Sequence, residues 1–337
     1  MKRILSIALV AAVLVGGGLV SIFSYLRAGA MNLDETGALN YLFLGTDQAS
    51  GNTDAMMLLG YRPKENSLTI MQIPRDTYYE TDGKGMKINH LYPTALSMNM
   101  DEEKAICFVA ESISESFSIP IHGVFLFRLE TLSSFVDAIG GVPMDIPFDM
   151  QYTDEVQGLV IDLKKGEHTL TGEEAMQFVR FRSDYLMGDI GRLDAQKLFI
   201  GALYQKLFGT PDLLKTAASF FGKNPPLFSC QNLSSLTRTF AYAYSHKDHL
   251  RLTFLSMPGE AAISDGAWYY IPNKKALYEV LRDRFAVEYI RPHDLDQDGR
   301  FYKRNDASLE NIYFASEFEY PTYDLEDIRD ITITKKE

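Results

Sequence analysis

Cysteine is almost absent from this chain, which contains only Cys107 and Cys230 among its 337 residues. Two cysteines so far apart provide neither a disulfide framework nor the closely spaced ligand pairs of a zinc site. The sequence leaves open whether they pair, because Cys107 on a helix is also typical of an ordinary buried free cysteine. A disulfide-stapled scaffold is therefore excluded as the fold class.

Basic residues are also scarce, since 33 Lys and Arg residues stand against 45 Asp and Glu residues and give a formal net charge of −12. A nucleic-acid-binding domain needs a basic surface, so no nucleic-acid partner is expected. The chain is 46% hydrophobic and 23% charged, which is typical of a globular protein and excludes wholesale disorder. Any cluster of arginines in so acidic a chain therefore stands out.

Charged side chains are missing altogether from residues 4–26. As a helix, this run spans roughly 34 Å, enough to cross the hydrocarbon core of a membrane. Lys2 and Arg3 precede the run, and basic residues favour the cytoplasmic side. The sequence therefore predicts a cytoplasmic start and a single transmembrane anchor over residues 1–30, with the rest of the chain extracellular at the cell membrane.

A cleaved signal peptide is the alternative interpretation of the N-terminus. Ala28-Gly29-Ala30 has the small-x-small form of a cleavage site. The apolar core of a signal peptide is usually about 7–15 residues long, and this run is longer, so a retained anchor is favoured. Both interpretations place the following domain outside the membrane.

Segments of strand length and segments of helical periodicity alternate over residues 40–290. This alternation predicts an α/β domain with a mixed central sheet between helices, an α/β/α fold. Residues 31–39 are predicted to be a linker. Residues 291–337 are acidic, aromatic and irregular, and they are predicted to be a tail or small appendage.

Local signals locate several elements within this domain. The turn at residues 63–66 predicts a hairpin between strands near residues 56–61 and 68–73. Asp101 is placed to cap a helix over residues 101–118. Thr171-Gly172-Glu173-Glu174 has the form of a capping box and predicts a helix that runs toward Arg180.

Two aspartates stand near the ends of adjacent predicted strands, Asp47 after the first and Asp54 at the start of the second. Carboxylates in this position suit a hard cation, because Mg²⁺ takes one or two carboxylates together with phosphate oxygens. The alternative is a pair of ordinary loop aspartates that form Asx turns.

Arginines cluster in the segment from Arg180 to Gln196. Arg180 and Arg182 are two residues apart, so in an extended segment both would point the same way. Arg192 and Gln196 are four apart and share one face of a helix that Asp189 begins. Arginine is suited to bidentate phosphate recognition, although a solvated, salt-bridged helix end is the alternative.

Several short motifs follow one another from about residue 40 to residue 208. They are Asn40-Tyr41-Leu42-Phe43-Leu44-Gly45-Thr46-Asp47, Thr53-Asp54, Ile73-Pro74-Arg75-Asp76-Thr77, Lys87-Ile88-Asn89-His90, Gly140-Gly141-Val142, Leu170-Thr171-Gly172, Val179-Arg180-Phe181-Arg182 and Gly188-Asp189-Ile190-Gly191-Arg192. In this order and spacing they resemble the LytR–CpsA–Psr family. One such motif would be a weak signal, whereas the ordered series is specific.

The resemblance implies a single α/β/α domain on a membrane anchor, with a long apolar pocket for a lipid tail. It implies an enzyme that moves a glycopolymer, such as a teichoic acid or capsule polymer, from a polyprenyl-pyrophosphate carrier onto peptidoglycan. It further implies that Asp47 and Asp54 bind Mg²⁺, for which Mn²⁺ could substitute. The positions implied to line the pyrophosphate site are Arg75, Lys87, Arg180, Arg182, Asp189, Arg192 and Gln196.

One position departs from the pattern of the family. An arginine usually stands two residues before the second aspartate, and here that position is Asn52. The change removes one expected contact to phosphate. Binding would then be weaker unless another cation takes its place.

Arg75 and Asp54 are the residues expected to be catalytic. Arg75 stabilises negative charge but is a poor general base, because its pKa lies above about 12. The sequence leaves open whether Asp54 or Asp47 takes the proton of the acceptor hydroxyl. Two other functions also remain open, a non-catalytic regulatory protein that binds polyprenyl phosphates and a hydrolase that cleaves the pyrophosphate.

A second cation site is suggested by the tail. Asp294, Asp296 and Asp298 precede Gly299 in the D-x-D-x-D-G order that begins an EF-hand-like calcium loop. The pattern is incomplete, because the twelfth position is Asn305 and not glutamate. The alternative to weak Ca²⁺ binding is an acidic surface turn.

Overall fold

The computed structural model of the chain covers most of the predicted domain. It describes residues 37–46, 51–81, 83–155, 159–186, 188–230, 249–286 and 289–336, together with residues 239, 243 and 246. The predicted anchor over residues 1–30 and the predicted metal ligand Asp47 lie outside these residues. Within them, no helix is both long enough and apolar enough to cross a membrane.

The described strands and helices alternate along the chain, as expected. The strands are β1 (Leu39–Thr46), β2 (Thr53–Arg62), β3 (Ser67–Ile73), β4 (Tyr78–Thr81), β5 (Lys84–Lys87), β6 (Gly123–Arg128), β7 (Val142–Ile146), β8 (Met150–Asp154), β9 (Leu159–Leu163), β10 (Gly166–Leu170), β11 (Leu227–Cys230), β12 (Arg251–Ser256), β13 (Gly259–Ser264), β14 (Ala267–Pro272) and β15 (Thr322–Asp324). The helices are α1 (Leu91–Ser97), α2 (Glu102–Phe117), α3 (Leu129–Ala138), α4 (Gly172–Arg180), α5 (Asp189–Gly209), α6 (Pro211–Lys223), α7 (Lys274–Val280) and α8 (Ala307–Tyr313). Short 3₁₀ turns lie at Ile88–His90 and Asp327–Asp330, and a π-type turn at Leu281–Phe285 follows α7.

Seven of the described strands form one mixed sheet, in the order β11-β6-β1-β2-β3-β12-β15. Strand β2 is antiparallel to both β1 and β3. In contrast, β6 runs parallel to β1, and β12 runs parallel to β3. The outer strands β11 and β15 are antiparallel to their neighbours. The expected mixed central sheet is confirmed.

Both faces of this sheet are covered, which explains why its inner strands are nearly continuous apolar runs. All residues of β1 are buried. Because successive side chains of a strand point to opposite faces, Tyr41 and Phe43 enter one apolar cluster while Leu42 and Leu44 enter the other. Helices α3 to α6 pack on the first cluster, and α1, α2, α7 and α8 pack on the second. The three layers of the α/β/α prediction are therefore present.

The local signals read from the sequence are also confirmed. Asp101 Oδ1 accepts the backbone N–H of Lys104 at 2.8 Å and caps α2. Thr171 and Glu174 form the reciprocal capping box at the start of α4. Strands β2 and β3 pair as the predicted hairpin, and its turn is closed by the N–H of Asn66 bonding to the carbonyl of Pro63.

The segment predicted to be a tail, residues 291–337, differs from that expectation. Strand β15 extends the central sheet beside β12. Phe301 and Tyr313 are buried in one core cluster, and Ile328 is buried in the other. The apolar residues of this segment lie in short elements, such as α8 and β15, and in the irregular turns that separate them, so no long helix or strand period marks them in the sequence. The segment nevertheless packs as part of the domain.

The three aspartates of the suggested calcium loop do not meet around one point. Asp294 forms an ion pair with Arg291 at 3.0 Å, and Asp298 pairs with Arg300 at 2.9 Å. Asp296 is buried, and its Oδ2 accepts the hydroxyl of Tyr313 at 2.8 Å. Among the described residues there is no group of three or more His, Cys, Asp and Glu side chains placed to hold a metal ion. The arrangement gives the calcium prediction no support, and it stays a prediction.

His122 gives the stability of the fold an expected dependence on pH. Its Nδ1 accepts the backbone N–H of Asn40, the second residue of β1, at 3.0 Å. Burial lowers the pKa of His122, whereas an unfolded chain has the ordinary value of about 6.5. As the pH falls through that value, the unfolded state binds a proton that the folded state does not, so stability is lost.

We therefore expect the free energy of unfolding, measured by urea denaturation of the full chain, to fall between about pH 7 and about pH 5. His122→Asn keeps a hydrogen-bond acceptor but cannot titrate, so part of this fall should be absent in the variant. An identical pH dependence in the two proteins would contradict the assignment to His122.

Candidate active site

The centre of the candidate site is a buried ion pair between Asp54 and Arg75. Arg75 Nη1 donates to Asp54 Oδ1 at 3.2 Å, and Asn89 Nδ2 donates to the same oxygen at 2.9 Å. All three residues are at most 9% exposed. A buried charge is tolerated when it is paired and hydrogen-bonded, and here the carboxylate has both kinds of partner.

The strand order explains why these residues meet. Strands β1 and β3 both run antiparallel to β2, so they end at the edge of the sheet where β2 begins. Asp54 is the second residue of β2, and Arg75 follows the end of β3 by two residues. Asn89 lies in the 3₁₀ turn after β5, and its carbonyl accepts the hydroxyl of Thr53 at 3.3 Å.

A second ion pair continues the site toward solvent. Lys87 Nζ lies 3.0 Å from Asp76 Oδ1, and Arg75 Nε lies 3.7 Å from the same oxygen. Lys87 and Asp76 are partly exposed, at 30% and 23%. Arg75 is thus held between the carboxylates of Asp54 and Asp76. Two cations, Arg75 and Lys87, therefore share the carboxylate of Asp76 at this edge of the sheet.

Asn89 belongs to the Lys87-Ile88-Asn89-His90 motif, but the sequence does not predict it as a site residue. Asp54, as a carboxylate, can only accept, so the atom of Asn89 that faces it must be the amide nitrogen. Its carbonyl oxygen Oδ1 then faces away, and it is buried without a hydrogen-bond partner among the described residues. A buried acceptor in this position suits a cation or a hydroxyl group. No signal in the sequence alone gives this orientation, because it depends on the contact with Asp54.

The second half of the site lies on α5, which Asp189 begins as expected. Arg192 and Gln196 are 0% and 2% exposed, and they are one turn apart on the same face of α5. The predicted shared face is confirmed, although it is buried and not a solvated surface. Gln72 of β3 holds this face to the sheet, because its Nε2 donates to Gln196 Oε1 at 3.3 Å and to the carbonyl of Leu193 at 3.2 Å.

Arg180 and Arg182 are arranged differently from the extended segment that was expected. Arg180 is the last residue of α4 and is half-buried, while Arg182 follows the helix and is exposed. Phe181 between them is fully buried and contacts the ring of Tyr185. The strand-like alternation therefore does not apply, because α4 continues as far as Arg180 and Phe181 is its C-terminal cap.

The loop after α4, which carries Arg182 and Tyr185, packs against the first turn of α5. Tyr185 is buried, and a Cβ placed on Gly191 would lie 2.7 Å from the Cβ of Tyr185. Burial raises the pKa of the Tyr185 hydroxyl, while the nearby charge of Arg192 acts in the opposite direction. Glycine at position 191 is thus required by the close approach of the loop that follows Arg182.

Asn52 and Asp47 lie in the stretch of chain that connects β1 to β2. Asn52, at the position where an arginine was expected, is half-buried directly before β2. The predicted metal ligand Asp47 follows β1, outside the described residues. The structure therefore joins Asp54, Arg75 and Lys87 in one network and places Arg192 and Gln196 on one buried face.

Comparison with known proteins agrees with this architecture. The model of the LytR_cpsA_psr family matches residues 23–285. The polyisoprenyl-teichoic acid–peptidoglycan teichoic acid transferase TagU of Bacillus anthracis is 30% identical over 265 residues, which cover 74% of this chain and 80% of that protein. TagU of Oceanobacillus iheyensis is 28% identical over 253 residues, which cover 73% of this chain and 75% of that protein. Protein gbs0355 of Streptococcus agalactiae has a similar fold, with a TM-score of 0.61 at 21% identity, covering 78% of this chain and 93% of the other.

The role of Asn89 can be tested through stability. We expect Asn89→Leu to lower the free energy of unfolding by about 1.5–3 kcal/mol, because it removes a hydrogen bond to a buried charged group. The cost should be smaller in the Asp54→Asn background, where the partner carries no charge. Urea denaturation of the wild type, Asn89→Leu, Asp54→Asn and the double variant gives the cost of Asn89→Leu in each background. Equal costs in the two backgrounds would contradict the contact between Asn89 and the carboxylate.

Proposed function

Because this chain belongs to the LytR–CpsA–Psr family, we propose that it is a phosphotransferase that moves a glycopolymer from a polyprenyl-pyrophosphate carrier onto peptidoglycan. The observation that carries the proposal is the buried pair of Asp54 and Arg75 at the edge of the sheet. The names of the two TagU relatives support it, since both describe a teichoic acid transferase working between polyisoprenyl-teichoic acid and peptidoglycan. The glycopolymer we propose is of teichoic-acid or capsular type.

The pyrophosphate of the carrier is the group that the site would bind first. Arg192 offers a planar fork of donors in a buried setting, where charge-assisted hydrogen bonds are strong. Gln196, one turn further along α5, adds a neutral donor, and Arg75 approaches from the sheet. The other side chains that we propose to line the pyrophosphate site are Lys87, Arg180, Arg182 and Asp189.

A magnesium ion fits the oxygen atoms at the edge of the sheet. Asp54 supplies a carboxylate, and Asn89 Oδ1 is a buried carbonyl acceptor without a hydrogen-bond partner among the described residues. Both are the hard oxygen ligands that Mg²⁺ and Mn²⁺ prefer. We propose that Asp54, Asn89 and Asp47 hold the ion. When bound, it would neutralise charge on the phosphate oxygens.

Transfer forms a bond between the acceptor hydroxyl oxygen and the phosphorus that carries the glycopolymer, and it breaks the phosphoanhydride bond to polyprenyl phosphate. The hydroxyl must lose its proton, and we assign Asp54 as the group that accepts it. Arg75 stays charged throughout, because a guanidinium is not deprotonated in proteins. Its charge beside Asp54 stabilises the negative charge that develops on the phosphoryl oxygens.

A lipid-linked donor explains why the domain would be anchored to the membrane. A polyprenyl chain keeps its pyrophosphate at the membrane surface, where a domain tethered by residues 4–26 can reach it. We propose a single-pass protein with a cytoplasmic N-terminus, an extracellular domain, and the membrane and peptidoglycan as its surroundings.

Transfer itself can be measured with the full chain in detergent. A synthetic polyprenyl-pyrophosphate disaccharide serves as donor and peptidoglycan fragments serve as acceptor. We expect the wild-type protein to attach the disaccharide to the peptidoglycan fragments. The rate of this transfer should be at least about a hundredfold lower for Asp54→Asn. Excess chelator should also stop the reaction. Asp212→Asn, which changes an exposed carboxylate on α6, is the matched control and should behave as wild type.

The rival functions give different outcomes in the same assay. Release of disaccharide phosphate without an acceptor would identify a hydrolase. Binding of the donor without any turnover would identify a lipid-binding regulatory protein. Full transfer by Asp54→Asn, or in excess chelator, would refute the assigned chemistry.

The proposed topology has an independent test. Protease added to intact protoplasts should digest the domain, because the domain is expected on the outer face. A protected domain would refute this topology. Release of soluble protein that begins at Met31 would instead indicate the cleaved signal peptide.

A further inference from the structure

Gln72 is a buried amide side chain that joins the two halves of the candidate site. It lies on β3 at 2% exposure, three residues before Arg75. Its Nε2 donates to the carbonyl of Leu193 at 3.2 Å and to Gln196 Oε1 at 3.3 Å. Its Oε1 accepts the hydroxyl of Ser256, from the neighbouring strand β12, at 3.4 Å. Gln72 therefore connects the sheet to the helix that carries Arg192.

The chemistry of these contacts fixes which way each amide faces. The carbonyl of Leu193 can only accept, so the atom of Gln72 that faces it must be the amide nitrogen. That nitrogen also faces Gln196, so Gln196 must present its oxygen in return. The hydroxyl of Ser256 can donate or accept, and it therefore imposes no direction. A backbone carbonyl on α5 thus determines the orientation of both glutamine side chains.

The consequence is that Gln196 presents a hydrogen-bond donor on its other side. Its Nε2 is buried and has no hydrogen-bond partner among the described residues. Rotation of this amide by half a turn would place an oxygen there, and an oxygen would repel an anion. Only the observed orientation makes Gln196 useful to the anion site that it shares with Arg192.

We propose that Gln72 is a positioning residue, which holds Gln196 with its amide nitrogen toward the phosphate oxygens of the ligand. The inference rests on the proposed function in one respect, namely that a pyrophosphate binds beside Arg192 and Gln196. Gln72 does not touch the ligand in this account. It acts by removing the freedom of Gln196 to turn, so the donor is in place before the anion arrives.

The test uses the full chain in detergent and measures the affinity for inorganic pyrophosphate by calorimetry. Gln72→Met keeps the length of the side chain but has neither polar atom. We expect it to weaken binding by roughly three- to tenfold, because Gln196 can then turn either way. Ser256→Ala removes the contact that imposes no direction, and it should change the affinity less than about twofold.

A double-mutant cycle separates positioning from a general effect on packing. If Gln72 acts through Gln196, then Gln72→Met should cause no further loss in a chain that already carries Gln196→Met. Gln72→Glu presents an oxygen to Leu193 and to Gln196, so it should weaken binding more than Gln72→Met does. The difference in affinity between these two variants should be smaller in the Gln196→Met background. Wild-type affinity in Gln72→Met, or an equal loss in both backgrounds, would overturn the proposal.

Failure of the proposed function would look different. If Arg192→Ala binds pyrophosphate as tightly as wild type, or if wild type binds none, the anion site has been placed wrongly. The contact between the glutamines is then tested without ligand, from the melting temperatures of the wild type, Gln72→Met, Gln196→Met and the double variant. Non-additive shifts for Gln72→Met and Gln196→Met support the fixed orientation, and additive shifts overturn it.

Discussion

The contact between Asp54 and Arg75 is the interaction on which the site depends, because each charge is buried and makes the other tolerable. Removing one partner from such a pair leaves an uncompensated charge and is usually costly, by about 3–5 kcal/mol. The pair also joins the two ends of the β2–β3 hairpin, since Asp54 is the second residue of β2 and Arg75 lies two residues after β3. Asn89 then brings the turn after β5 to the same oxygen. Three separate segments are thus tied to one carboxylate.

The mixed order of the sheet makes this arrangement possible. Strand β3 carries Gln72 near its end and leads to Arg75, so one short segment contacts both α5 and β2. The C-terminal segment supports α5 from another direction, since the buried Lys197 pairs with Asp194 and lies over the ring of Tyr323 on β15. The face of α5 with Arg192 and Gln196 is therefore held by the sheet, and a neighbouring part of α5 is held by the strand at the edge.

Much of the fold could be predicted from the sequence, because the relevant signals are local. The Asp101 cap, the Thr171 capping box and the hairpin at residues 63–66 each depend on a few adjacent residues. The site was harder to predict. Asn89 and Gln72 matter through amide orientations that only distant partners determine, and the strand-like interpretation of Arg180 and Arg182 overlooked how far α4 continues. The segment after residue 291 has only short elements and no long period, although Phe301 and Tyr313 are buried in a core cluster.

Strand β15 has a consequence for how the protein is made. It pairs with β12 and is synthesised after every other described strand of the sheet. Until residues 322–324 have joined the folding domain, the outer edge of β12 has backbone N–H and C=O groups without their strand partner. Such an edge is a template for pairing with other chains. We therefore expect a chain folded only as far as β12 to be prone to aggregation, and a chaperone that shields this edge would protect it.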